Sequence, residues 1–253
     1  MRKLLVLAAG ISAVLAVPAQ APAQDNDAHV VIDKAIKAIG GLDKAKSLKA
    51  FTAKIKGNVS VMGMDLDFTL DAYTQPPGKS KAVINVDVGG QQLQIIQVFN
   101  EDKGWISAAG QVMELDKETL DEHKAMVHVE SVTSLFSLKE DKAMKLSPLG
   151  ESKVGDTPVV GVQVTKEGKR DVNLYFDKKS HLLLKAEYRA IDQFSKQEVN
   201  QEKIFTEYKE LLPGLKLPSK QVINNDGKKA MDLEFIEVRA VDRHDDSVFA
   251  KPQ

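Results

Sequence analysis

Residues Met64-Asp65-Leu66-Asp67-Phe68-Thr69-Leu70-Asp71-Ala72 alternate apolar and polar side chains over nine positions without interruption. Successive side chains of a strand point to opposite faces, so this segment predicts a strand with one greasy face and one wet face. The same period precedes it, with Phe51, Ala53, Ile55, Gly57, Val59 and Val61 on one face and a turn at Met62-Gly63. Gln75-Pro76-Pro77-Gly78 ends the strand, because neither proline donates to a ladder. Ala82, Ile84, Val86 and Val88 then lead to a Gly89-Gly90 hairpin turn and a return strand from Leu93 to Phe99. Shorter strands follow at Trp105-Ile106 and Val112 to Leu115. The second half resumes with Val160, Val162 and Val164, then Val172, Leu174 and Phe176, then Leu182, Leu184, Ala186 and Tyr188, each group on one face. Ile204 to Tyr208 is a further strand, ended at Pro213-Gly214, and Asn225-Asp226-Gly227 joins Gln221–Ile223 to Met231, Leu233 and Phe235 as a hairpin.

Two segments change period. Asp27 is placed to cap a short helix in which Val31, Ile32, Ala35, Ile36 and Ile39 recur at helical spacing before Gly40-Gly41. Asp116 caps a second helix, with Glu118 and Asp121 in its first turns and a stripe of Ala125, Val129, Val132 and Phe136. The expected fold class is mainly β (α+β): an incomplete antiparallel β-barrel of roughly ten to eleven strands. An N-terminal helix and a mid-chain helix plug or lid its apolar concave face. The pattern leaves open whether those two helices fill the interior or leave part of it uncovered.

Composition narrows the class. The first residues read as a Sec-type signal peptide over 1–23: Arg2 and Lys3, an apolar run from Leu4 to Val17, and small-residue sites at Ala19-Gln20-Ala21 and Ala21-Pro22-Ala23. Cleavage after Ala23 is favoured, because an earlier cut leaves Pro22 in the first mature position. Residues 24–253 are then a single domain of roughly 230 residues, enough for one core. The expected location is the periplasm, and the mature chain is expected to be soluble. The sequence has no cysteine, so it is neither lipid-anchored through a processed cysteine nor cross-linked, and stability must come from burying apolar surface. A formal net charge of −1 with interleaved signs offers no field for nucleic acid.

Catalytic signatures are lacking. There is no G-x-S-x-G, no P-loop, no dinucleotide fingerprint and no H-E-x-x-H. The five histidines, His29, His123, His128, His181 and His244, are scattered and read as solvated surface residues rather than metal ligands. Trp105, the only tryptophan, reads as a packed aromatic at a strand start. The chain is not expected to be an enzyme, and no cofactor or metal is expected.

Several phrases together resemble the LolA/LolB-like outer-membrane lipoprotein-sorting superfamily. They are Ala38-Ile39-Gly40-Gly41-Leu42 after the first helix, Gly104-Trp105 before the second, and Val172-Asn173-Leu174-Tyr175-Phe176-Asp177. His181 to Glu187, Gly214-Leu215-Lys216-Leu217-Pro218 and the closing Asp246 to Pro252 complete the set. The resemblance implies an incomplete barrel whose apolar interior shelters acyl chains of lipoproteins or lipid. Its partners would be lipid or acylated protein, with envelope membrane proteins to deliver or receive the cargo. No family residue transfers singly as a site. The inward-facing candidates for the apolar lining are Leu66, Phe68, Leu70, Ile84, Val86, Leu93, Ile95, Leu174, Phe176, Leu182 and Leu184. The alternative is an envelope interaction module with a filled core and no ligand.

Overall fold

A computed structural model describes residues 27–46, 48–61, 63–192 and 195–253. The leader reading of residues 1–23 and the Met62 position of the first turn lie outside the described residues. Among the described residues thirteen strands form one antiparallel sheet. The first meander is β1 (Ala50–Val61), β2 (Met64–Gln75), β3 (Lys79–Val88), β4 (Gln91–Asn100), β5 (Lys103–Ala108) and β6 (Gln111–Glu114). The second is β7 (Lys145–Val154), β8 (Thr157–Thr165), β9 (Val172–Asp177), β10 (Leu183–Ile191), β11 (Glu198–Leu212), β12 (Leu215–Asn225) and β13 (Lys228–Val241). Pairing of β1 with β13 joins the two, and β6 and β7 are left as edges, so the barrel is incomplete. The helices are α1 (Ala28–Ala38), α2 (Leu42–Lys46), α3 (Lys117–Thr133) and α4 (Ser137–Glu140).

Hairpins account for the antiparallel order. At the β12–β13 turn Asp226 and Gly227 both take positive φ, 47° and 75°, which matches the right-handed twist of the flanking strands. The strand count exceeds the ten or eleven expected, and the strand absent from the sequence reading is β7. It carries Pro148 and Gly150 and a register shift between them, features tolerated at an edge, where one side of the ladder has no partner.

Asp27 caps α1, its carboxylate accepting from the His29 amide at 2.8 Å, and Asp116 caps α3, accepting from the Thr119 amide at 2.8 Å. Past Thr133, Leu135 has φ 69°, which stops α3 short of Phe136, although Phe136 still packs against the core. The end of α1 is fixed to the β11–β12 turn. Lys216 donates its amide to the Ile39 carbonyl at 2.9 Å, and a Cβ on Gly40 would lie 2.1 Å from the Gly214 carbonyl oxygen. Only glycine permits that approach, at a φ of 115°.

The core lies between these helices and the second meander. Val31, Ile32, Ala35 and Ile36 of α1 and Val129 and Val132 of α3 pack with Val162, Val164, Val172, Leu174, Phe176, Ala186 and Tyr188. Next to β10, Leu182 packs against the core as its face predicts, but the expected place of Leu184 is corrected by a bulge between Leu183 and Lys185. The extra residue flips the alternation, so Leu183 enters the core at 2% exposure while Leu184 stays half-buried outside it. Among the described residues no helix is long and apolar enough to cross a membrane.

Candidate ligand-binding face

Register places the apolar residues of the first meander in rows. Met231 on β13 lies opposite Val59 on β1, and Val59 opposite Leu66 on β2. The next row runs Leu233, Gly57, Phe68, Val86 and Leu93 from β13 through β4. The third runs Phe235, Ile55, Leu70, Ile84, Ile95 and Ala108. Through Gln221 on β12 the middle row continues to Phe205 of the core, so these rows and the core occupy two halves of one face.

The helices cover one half and, through α3, only one end of the other. Over the rows of the first meander, Ile55, Phe68 and Val86 are buried by their neighbours, but Val59, Leu66, Leu70, Ile84, Leu93, Ile95, Met231, Leu233 and Phe235 remain half-buried. Gly57 permits the tight packing of Phe68, since a Cβ there would lie 2.7 Å from the Phe68 ring. At the margins on the same face Met64, Val88 and Met113 are 54%, 42% and 55% exposed. A contiguous apolar surface of this breadth is uncommon on a protein with no partner for it.

Helix α3 closes one end. Its His123 ring stacks on Phe99 with centroids 3.4 Å apart and planes 4° apart, and Nε2 lies 3.5 Å from the Ser80 hydroxyl. Leu120 and Leu115 sit above Gly104, where a Cβ would be 2.8 and 2.9 Å from them. Towards the second meander, Arg170 donates to both Glu122 carboxylate oxygens, one at 2.7 Å, and His128 Nε2 meets the Arg170 carbonyl at 3.2 Å. Lys203 on β11 pairs with Glu130. The helix thus bridges β3–β5 and β9–β11. The opposite ends of the strands lead to the Val88–Gln91 and Ala108–Gln111 hairpins and carry no helix among the described residues.

The electrostatics follow from burial. Desolvation pushes the His123 imidazole down to about 4 and lowers His128 as well, so both are neutral at pH 7. His123, His128 and His244 are packed into the fold, contrary to the solvated reading of the histidines, because each ring covers apolar surface while one nitrogen keeps a polar contact. Burial also pushes the Lys203 ammonium down, but Glu130 outweighs it and holds the group above its ordinary value.

No protein-family model and no curated protein matches this sequence. Solved structures do match in shape. A LolA superfamily protein from Nitrosomonas europaea aligns with a TM-score of 0.54 at 12% identity, over 88% of this chain and 97% of that one. A DUF1329 family protein from Desulfovibrio piger gives 0.56 at 13% identity, again over 88% and 97%. A domain described as an outer membrane lipoprotein-sorting protein, from Vibrio parahaemolyticus, gives 0.53 at 14%, over 89% and 98%. The chain has a LolA-like fold.

Within that LolA-like frame the sequence-derived lining residues divide. Leu66, Phe68, Leu70, Ile84, Val86, Leu93 and Ile95 come together on β2, β3 and β4, on the uncovered half. Leu174 and Phe176 are 0% and 1% exposed beneath the helices, Leu182 packs against that core, and Leu184 lies outside it. Sequence reasoning missed Ile55, Val59, Met231, Leu233 and Phe235 as members of the uncovered rows. Their alternation was readable, but their place beside β2 depends on pairing of the first strand with the last. Trp105 is half-buried on the other face, opposite Val98, and the C-terminal 3-10 turn (Asp246–Phe249) packs on β3 and β4. Away from that turn the other face is polar. A cleft of about 490 Å³ there is lined by Lys56, Asn58, Asp67, Asn85, Asp232 and Glu234, among others. Among the described residues no group of three or more His, Asp or Glu side chains is placed to hold a metal ion.

Proposed function

We propose that this protein binds and carries an apolar ligand, the acyl chains of a lipid or lipoprotein, in the bacterial cell envelope. The observation that carries this reading is the unequal cover of one sheet face. Helices α1 and α3 fill the half over β7–β11, while the rows on β13 and β1–β4 keep half-buried Leu, Ile, Val, Met and Phe side chains with nothing laid across them among the described residues. At about 0.8 kcal/mol per buried CH₂, a long acyl chain laid there gains on the order of 10 kcal/mol before its ordering cost. The leader over residues 1–23 would bring the chain to the periplasm, where acylated cargo crosses an aqueous space. Likeness to a domain described as lipoprotein-sorting supports the same cargo class.

The test is organic extraction of protein purified from cells, with mass spectrometry of the extract. Acyl-bearing lipid at a stoichiometric level is expected from the wild type, and its loss from Leu70→Asp. An extract free of lipid, together with no uptake of added fatty acid, would defeat the proposal.

A further inference from the structure

The two faces of the first meander differ in charge. On β1 to β5 every charged side chain falls on the other face by register, so the face that carries the open rows is uncharged over five strands. Its polar residues there, apart from Gln91 at a hairpin, are Thr74, Ser80 and Gln97. They gather at one end. Thr74 lies opposite Ser80, Ser80 lies opposite Phe99, and Gln97 precedes Phe99 on the same face of β4. Ser80 and Gln97 are therefore diagonal neighbours, about 7–8 Å apart along the sheet and within reach of a long side chain.

Neither is satisfied within the fold. Gln97 is half-buried between Ala82 and Ile106, and among the described residues its amide has no hydrogen-bond partner. The half-buried Ser80 hydroxyl meets only His123 Nε2, at 3.5 Å. Helix α3 covers Phe99 and Gly104, and Gln97 stands in the row beside them, at the start of the open rows. Charge does not intrude from the helix: His123 is neutral at pH 7, and Lys124 is paired with Asp102.

A carboxylate or ammonium laid here would shed its water and meet no opposite charge, which is costly. An uncharged head fares differently. The amide of Gln97 offers donors and an acceptor together, and the Ser80 hydroxyl does the same, so an ester carbonyl and a neighbouring hydroxyl each find a partner. From Ala72 to Leu66 the apolar rows then run about 20 Å along β2, the reach of a long acyl chain.

We propose that Gln97 and Ser80 form a head-group subsite for a long-chain lipid with an uncharged, hydrogen-bonding head, an ester or alcohol. Its tail runs along the strands over Ile84, Leu70 and Phe68 towards Leu66. This rests on the ligand-carrying reading above and adds to it the ligand class and orientation.

Displacement of the neutral dye N-phenyl-1-naphthylamine tests it with the whole mature chain at pH 8. The competitors are 1-palmitoylglycerol, palmitate and hexadecyltrimethylammonium, each below its micellar concentration. The wild type is expected to bind the glycerol ester about tenfold more tightly than either ion, because only the ions lose hydration without compensation. Gln97→Leu keeps the size of the side chain and should weaken the glycerol ester about fivefold, as lost neutral hydrogen bonds imply, with dye affinity unchanged. The same change at Gln94, on the other face, should leave both unaltered. A wild type that binds either ion as tightly as the ester overturns the subsite alone. So does an ester affinity that survives Gln97→Leu, falls in step with the dye, or falls equally in Gln94→Leu. Wild-type protein that binds neither the dye nor any of the three amphiphiles overturns the subsite and the carrying reading together.

Discussion

Leu70→Ala and Leu174→Ala make the same chemical change on the same face of one sheet, yet they should cost very different amounts. Leu174 is fully buried, flanked in register by Val162 and Ala186 and capped by the helices. Its truncation removes the transfer energy of the lost carbons and leaves a cavity that a close-packed neighbourhood cannot close, so about 3–4 kcal/mol of stability is expected to go. Leu70 is half-buried between Ile55 and Ile84 with no layer above it. There, water or a neighbouring side chain fills the space, and only part of a transfer term is lost, about 1 kcal/mol. Urea unfolding followed by tryptophan fluorescence reads both. With an m of about 3 kcal/mol/M for a domain of this size, the midpoint falls by about 1 M for Leu174→Ala and about 0.3 M for Leu70→Ala. Equal shifts in ligand-free protein would refute the division of the face into a filled half and an open half, and the carrier reading with it.

Acid should loosen α3. Folded His123 is held near pKa 4 against 6.5 for the free imidazole, so between those values the unfolded chain binds more protons and stability falls as pH drops, by up to about 3 kcal/mol; urea midpoints at pH 7 and 4.5 should show it, and an undiminished acid loss in His123→Phe would contradict it. Arg170→Met leaves Glu122, 8% exposed, without its bidentate partner and should cost about 3–5 kcal/mol; adding Glu122→Gln should recover part of that, and a single-variant loss under about 1 kcal/mol would count against the pair. Gly40→Ala places a methyl against the Gly214 carbonyl at a φ that disfavours side chains; a loss well above about 1 kcal/mol and faster exchange of the Lys216 amide are expected, and wild-type exchange there would argue against the close approach.

What the sequence determined by itself is local. Alternation assigned Leu66, Phe68 and Leu70 to one side of β2, the Asp27 and Asp116 caps began both helices where they stand, and Gly-containing turns set the hairpins that make the sheet antiparallel. Each depends on residues a few positions apart, whose sterics and hydrogen bonds act whatever the rest of the chain does. The resemblance to LolA-like proteins, carried by short phrases, agrees with the fold observed. Tertiary structure decided the rest. Pairing of β1 with β13 brought Ile55, Val59, Leu233 and Phe235 beside β2, and a single bulged residue exchanged Leu183 for Leu184. Docking of α1 and α3 sent Leu174 and Phe176 into a sealed core, left Leu70 and Ile84 half-covered, and drew Lys203 inside beside Glu130. Two apolar faces with the same period look alike in sequence; which of them a helix covers depends on the summed fit of surfaces far apart along the chain.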